Sequence, residues 1–318
     1  MFQGIFDRKT ISLNGMWDYR IDQNDIGKRQ SWYLTDYSGN GWRTIQVPGN
    51  WYLNEEIGDY FGTIWYKKDF RLTEKKGERI FVRFEGVDYI TEVWLNGKYL
   101  GFHEGMFNPF EFEITDFVDY DGNNTLIVRD CAPKDPTEFI EADNDETPLS
   151  DGYKFHQSKG ITQIKGHMIE AMHRPGCYSK YRMDGNSGGI WGNVSIVTKP
   201  EIFIENVKIF TKIDMNGDGR EYQDSAMASF DVYINSNCAK EKEIELGLDI
   251  TPYNFEQEMN CTVKRTVIVR PGSNRFKLTA RIEQVALWWT WDHGKPNLYT
   301  ASITAMEDHI STNFGVKE

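Results

Sequence analysis

Short runs rich in aromatic and β-branched residues, punctuated by polar stretches with Gly, Asn, Asp and Pro, recur from one end of this chain to the other. Runs of that length and composition predict β-strands. In the first half the runs fall at 16–21, 64–72, 79–84, 91–95, 98–102, 110–114 and 125–129. Asn96-Gly97 stands between two of them. That pair adopts the positive φ angles of a tight turn, which predicts a hairpin over residues 91–102. Nowhere does an apolar period of 3.6 residues persist for four turns, so neither an α/β barrel nor a Rossmann unit is predicted within the chain.

Residues 133–189 break the pattern. The stretch is polar, contains EADNDE and many glycines, and is several times longer than an ordinary loop. Its composition predicts a segment folded back along the first domain rather than a separate core. Strand character returns over 190–197 and ends at Lys199-Pro200, because proline lacks the N–H that a ladder needs and restricts the residue before it. The domain boundary is placed there. Runs then resume at 203–213, 226–234, 244–250, 262–269, 275–280 and 299–306. Roughly seven short strands in about 118 residues fit an immunoglobulin-like sandwich. The expected fold is therefore all-β, with one domain over 1–199 that carries the insertion 133–189 and a second over 200–318.

A length of 318 residues agrees with two domains at roughly 150 residues each. The 36 Lys and Arg against 48 Asp and Glu leave a net charge of -12. That charge repels phosphate backbones and anionic lipid, so neither nucleic acid nor a membrane surface is expected as a partner. Cys131, Cys177, Cys238 and Cys261 form no CxxC pair and no dense framework, which points to free thiols rather than a zinc knuckle or a disulfide scaffold. The opening MFQGIFDRK has no apolar stretch of signal length, and no apolar run reaches the roughly 18 residues of a membrane span. The expectation is a cytoplasmic protein as written, or an exported one if a leader has been removed.

Six segments in order resemble the N-terminal portion of glycoside hydrolase family 2, the family of β-galactosidases, β-glucuronidases and β-mannosidases. They are LNGMWDYRI at 13–21, IQVPGNW at 45–51, WYKKDF at 65–70, GVDYITEVWLNGKYLGFHEGMFNPFEFEIT at 86–115, SGGIWGNVSI at 187–196 and PNLYTASI at 296–303. The resemblance implies a jelly-roll (galactose-binding-like) sugar-binding sandwich, an immunoglobulin-like sandwich, and a (β/α)₈ barrel that bears two catalytic glutamates. The terminal FGVKE looks like the link into that barrel, so the catalytic residues are expected outside this chain.

Retaining glycoside hydrolysis needs two carboxyl groups about 5 to 5.5 Å apart. No specific pair stands out among the 48 acids, and no catalytic residue is assigned. In galactosidase and glucuronidase relatives an Asp six residues before the Gly-Ile pair binds hydroxyls of the terminal sugar; that position is Met183 here, and its neighbour Asp184 is the substrate-binding candidate. Asp184-Gly185 is also an ordinary turn pair. Asp59 and Tyr60, just before WYKKDF, resemble the loop that reaches the active site in these enzymes, although aromatics there equally suit a covered core edge.

Trp51, Trp94, Trp191, Trp288, Trp289 and Trp291 invite a sugar-stacking reading, but most are expected to be core, Trp94 and Trp191 above all because they sit inside strand motifs. Asp214, Asn216, Asp218 and Gly219 match the start of a calcium loop, yet its twelfth position is Ser225 rather than Glu and the flanks read as strands, which favours a polar hairpin. His156, His167, His173 and Cys177 match no ligand spacing. Neither metal nor cofactor is expected. The expected function is the non-catalytic front part of a retaining family 2 β-glycosidase, inactive by itself, with carbohydrate and the barrel as partners and a homo-oligomer compatible with it. A stand-alone carbohydrate-binding or adhesive sandwich is the alternative.

Overall fold

The computed structural model describes residues 5–6, 8–35, 39–72, 78–132, 187–215 and 222–317. They form two antiparallel β units, one of residues 10–198 and one of residues 1–9 with 199–318. Strand β1 (Ile5–Phe6) belongs with the second. The first contains β2 (Thr10–Ser12), β3 (Gly15–Asp22), β4 (Arg43–Val47), β5 (Gly62–Phe70), β6 (Arg79–Phe84), β7 (Ile90–Leu95), β8 (Lys98–Glu104), β9 (Phe110–Glu113), β10 (Asn124–Ala132) and β11 (Val194–Lys199). Six of these make one sheet in the order β4, β3, β5, β10, β7, β8, and four make another in the order β2, β11, β6, β9.

The central strands β5, β7 and β10 are covered on both faces, which explains the consecutive apolar residues Ile64-Trp65-Tyr66, Val93-Trp94-Leu95 and Leu126-Ile127-Val128 within them. Ile64 and Tyr66, Val93 and Leu95, and Leu126 and Val128 belong to the main core of the unit. The residues between them, Trp65, Trp94 and Ile127, form a second cluster with Trp32. Period-two geometry makes this division, since neighbours along a strand take opposite faces. Trp65 and Trp94 stack with ring centroids 5.4 Å apart, and the Arg20 guanidinium lies 3.7 Å over Trp32. The Trp65 indole N–H donates to Asp22, whose carboxylate also accepts from the Ile26 and Gly27 N–H groups and so fixes the chain that brings Trp32 into place. The turn between β7 and β8 has positive φ at Asn96 (50°) and Gly97 (76°), as the hairpin motif predicts.

The second unit contains β12 (Ile202–Met215), β13 (Tyr222–Ser236), β14 (Lys242–Pro252), β15 (Cys261–Val269), β16 (Gly272–Glu283), β17 (Tyr299–Ala305) and β18 (Asp308–Phe314). Its sheets are β12, β13, β16 and β1, β18, β17, β14, β15. Phe230, Val232, Leu246, Leu248, Tyr299 and Ile303 are among the side chains buried in its core. The architecture is two all-β sandwiches, and no α-helix occurs among the described residues.

Several local details differ from the pattern along the chain. The strand expected at 190–197 begins only at Val194, because the backbone of Ile190, Gly192 and Asn193 bonds to Gly49, Gly86 and Glu85 outside any strand. The strand expected to reach 306 stops at Ala305, where Met306 takes φ 55° and starts a turn. β1 and β2, only two and three residues long, are absent from the expected strands, as are β4 and β18. Only Ile45 and Val47 of β4 are buried, and β18 mixes buried Asp308, Ile310 and Phe314 with polar residues, so neither carries a strong apolar alternation. β1 pairs with β18, Ile5 opposite Ser311, although residues 1–9 were grouped by pattern with the first domain.

Candidate functional site

Strand register gathers several loops at one edge of the six-stranded sheet. Ala132 at the end of β10 faces Gly62 at the start of β5, Ile90 at the start of β7 faces Glu104 at the end of β8, and Asp22 at the end of β3 faces Thr63. The chain before β5 and the chain before β7 therefore lie at the same edge, and Ser187–Ile190 is bonded to both.

Two buried carboxylates organise this edge. Asp130 accepts the Tyr89 N–H at 3.0 Å with one oxygen and the Gly189 N–H at 3.0 Å with the other. Asp88 accepts the Ser187 hydroxyl at 2.6 Å, while its backbone exchanges hydrogen bonds with Gly189. The Asp88–Tyr89 peptide is cis. Tyr89 is buried, and its hydroxyl donates to Glu104 at 2.8 Å. Asp88 and Asp130 thus spend their charge on groups of the chain itself, which suits positioning rather than acid–base work. Their signal in the sequence is a lone acid inside an apolar run, LIVRDCA and GVDYIT.

The loop before β5 is held as firmly. Asn50 caps a 3₁₀ turn over Trp51–Leu53 by accepting from the Tyr52 N–H, and the same oxygen accepts from the Gly188 N–H at 3.3 Å. The Trp51 N–H donates to Gly188 and the Gly49 N–H to Ile190, both at 2.9 Å. Trp51 is fully buried, against Tyr60 at 6.0 Å between ring centroids. A Cβ at Gly188 would lie inside the Trp51 indole. Gly188→Ala is therefore expected to cost about 1–3 kcal/mol, the usual range for overpacking. Urea denaturation reads this, and an unchanged midpoint would mean that Trp51 yields freely.

Asp59 is exposed at the tip of this loop, one residue after Gly58 with φ 58°. Tyr60 is half-buried, and its hydroxyl donates to the Thr63 carbonyl at 3.3 Å. Burial pushes the Tyr60 phenol above its ordinary value, so it stays a protonated donor at neutral pH. The structure therefore brings Asp59 and Tyr60 to the edge organised by Asp88 and Asp130. Asp184 lies outside the described residues, three positions before Ser187.

Trp94 and Trp51 are core, but Trp191 is 39% exposed and lies ahead of β11 rather than in it. Its indole N–H donates to the Met106 carbonyl at 3.1 Å, and its ring meets exposed Phe107 edge-on at 6.3 Å. Glycine explains the exposure: Gly86 and Gly192 let the chain pass so closely that the indole lies on Gly86 instead of between sheets. Trp289 and Trp291 are exposed too and Trp288 is only partly buried, so the core expectation holds for Trp51 and Trp94 alone. Asp214 accepts from Ser225 of β13 at 2.8 Å and pairs with Arg281 of β16, so its charge is engaged by the neighbouring strands. Asn216, Asp218, Gly219, His156, His167, His173 and Cys177 lie outside the described residues. Cys131, Cys238 and Cys261 are free thiols.

Comparison with known proteins places this geometry in a family. The profile described as "Glycosyl hydrolases family 2, sugar binding domain" matches residues 10–157, and "Glycosyl hydrolases family 2" matches residues 203–317. A β-galactosidase of Thermoanaerobacter pseudethanolicus is 32% identical over 98% of this chain and 35% of its own length. A β-glucuronidase of Sus scrofa is 24% identical over 93% of this chain and 41% of its own. Among solved structures, a β-glucuronidase from glycoside hydrolase family 2 superposes with a TM-score of 0.69 at 18% identity, over 98% of this chain and 31% of that one. A Bacteroides uniformis β-glucuronidase gives 0.66 at 18% identity, over 96% and 32%. The chain spans about a third to two-fifths of the length of the curated relatives it matches. With both matched segments in order and the two sandwiches that they require, the chain belongs to glycoside hydrolase family 2 and carries its sugar-binding and immunoglobulin-like domains.

Proposed function

We propose that residues 1–318 serve a retaining β-glycosidase, in which the organised edge of the first unit forms one wall of the substrate pocket and a barrel outside this chain supplies the two catalytic carboxyls. The observation that supports this reading most is that Ser187–Ile190 is bonded on one side to Asp88 and Asp130 and on the other to Asn50 of the Asn50–Tyr60 loop. A wall fixed in this way holds sugar-binding groups without reorganisation when substrate arrives. Asp59 and Tyr60 stand on the wall. Asp184 completes the assignment as the group that accepts hydrogen bonds from sugar hydroxyls.

The test uses the protein expressed from the reading frame extended past residue 318, assayed on chromogenic β-galactosides, β-glucuronides and β-mannosides. Residues 1–318 alone are expected to cleave none of them, and the extended protein one class. Asp184→Asn in the extended protein is expected to lower kcat/KM at least about tenfold, or roughly 1.4 kcal/mol of transition-state binding. That is less than the full loss of a charge-assisted bond, because asparagine keeps one acceptor oxygen. Unchanged kinetics in Asp184→Asn, Asp59→Asn and Tyr60→Phe alike would sink the wall assignment.

A further inference from the structure

Two exposed rings stand on the first unit beside its organised edge. Trp191 follows Ile190 directly, and Phe107 comes three residues after Glu104, where β8 ends. The Ile190 carbonyl accepts the Gly49 N–H and Glu104 faces Ile90, so both rings belong to the end of the sandwich at which the loops before β5 and β7 gather. Trp191 is 39% and Phe107 41% exposed, and the rings meet edge-on at 6.3 Å. The indole is ordered before anything binds. Its N–H is engaged by the Met106 carbonyl, and its ring lies directly on Gly86, where a Cβ would come within 2.5 Å of it.

The chemistry around the rings selects the occupant. A pyranose presents an apolar C–H face bordered by hydroxyls, which suits an aromatic surface with polar groups at its margin. Such groups are present here: Asn193, two residues after Trp191, is exposed, and its carbonyl accepts the N–H of Glu85, whose partly exposed carboxylate pairs with Arg83 at 2.7 Å. Because the indole is already fixed, stacking on it costs little side-chain entropy. A protein partner is served less well, since a stable interface takes about 800 Å² on each side, far more than two rings supply. We propose that Trp191 and Phe107 form a stacking platform for a second sugar residue of an oligosaccharide substrate, next to the sugar held by the wall, an inference that rests on the function proposed above.

The Trp191 indole N–H resonance is followed by NMR in ¹⁵N-labelled residues 1–318, assigned by its absence from Trp191→Phe, while β-1,4-galactotriose, β-1,4-mannotriose or a hyaluronan tetrasaccharide is added to tens of millimolar. One of the three is expected to shift it saturably, and Phe107→Ala to weaken that binding at least about fivefold. In the extended protein, Phe107→Ala is expected to lower the ratio of kcat/KM for that oligosaccharide to kcat/KM for the methyl β-glycoside of its terminal sugar at least about fivefold. Absence of a saturable shift with all three, or binding undiminished by Phe107→Ala, overturns the platform even where the extended protein cleaves glycosides. An unchanged ratio overturns it as well. If the extended protein cleaves no glycoside, the glycosidase reading fails and the titration still decides the platform. Dimerisation of residues 1–318 that Phe107→Ala abolishes in sedimentation overturns it in favour of a second copy as occupant.

Discussion

Asp130→Asn is expected to lower the unfolding free energy of the first unit by about 2–4 kcal/mol. The carboxylate is wholly buried, and each oxygen accepts a backbone N–H, from Tyr89 and from Gly189. Hydrogen bonds to a charged acceptor contribute about 1.5–3 kcal/mol each, and an amide of the same shape replaces one acceptor oxygen by an NH₂ that faces another donor. One N–H is then left buried without an acceptor, which costs more than losing the bond in water. Because both donors belong to the edge loops, the loss should be local as well as global. Faster hydrogen exchange at Tyr89 and Gly189 below the unfolding transition is the second readout. Urea denaturation that shows a change under about 0.5 kcal/mol would refute the organising role and return Asp130 to an ordinary strand residue.

Arg8→Ala is expected to destabilise the second unit by about 3–5 kcal/mol, the range for breaking a buried ion pair by removing one partner. Arg8 and Asp308 are joined by two bonds, of 3.0 and 2.6 Å, with side chains 7% and 1% exposed. The guanidinium also donates to the Ile204 carbonyl at 2.6 Å, and Asp308 accepts the Ile204 N–H at 2.7 Å. Three segments distant in sequence thus meet in one polar cluster, and without the arginine a carboxylate stays buried on a single N–H. The Arg8→Ala/Asp308→Ala double variant closes a thermodynamic cycle and isolates the pair. A coupling near zero would show that the cluster contributes through packing alone. It would also show that residues 1–9 are held mainly by the β1–β18 ladder.

Strand positions were legible along the chain wherever burial is one-sided or complete, because period-two geometry writes itself into the residues. The central runs of β5, β7 and β10 illustrate this, as does the Asn96-Gly97 turn, whose φ angles few other pairs adopt at so little cost. β4 and β18 were not legible. Their ladder bonds come from backbone groups that every sequence possesses, and few of their side chains face a core. The same limit applied to the tryptophans. A tryptophan inside a strand-like motif reads as core, but whether its ring finds space between sheets depends on glycines far away in sequence, as Gly86 shows for Trp191.

The sequence by itself determined an all-β chain, the glycoside hydrolase family 2 motifs in their order, and the Asp59–Tyr60 loop as a place to look. Each of those rests on local chemistry: strand-like composition, turn preference, or contiguous residue identity. The tertiary structure alone decided that Asp88 and Asp130, 42 residues apart, both engage Gly189, and that Gly49, Asn50 and Trp51 bond the same Gly188–Ile190 segment. It alone decided that Arg8 pairs with Asp308, 300 residues on, and that Trp289 and Trp291 face water while Trp51 does not. Contacts of this kind depend on strand register and on which backbone approaches which. Outside a tight hairpin, register is set by which faces are buried together, so no short stretch of sequence contains it.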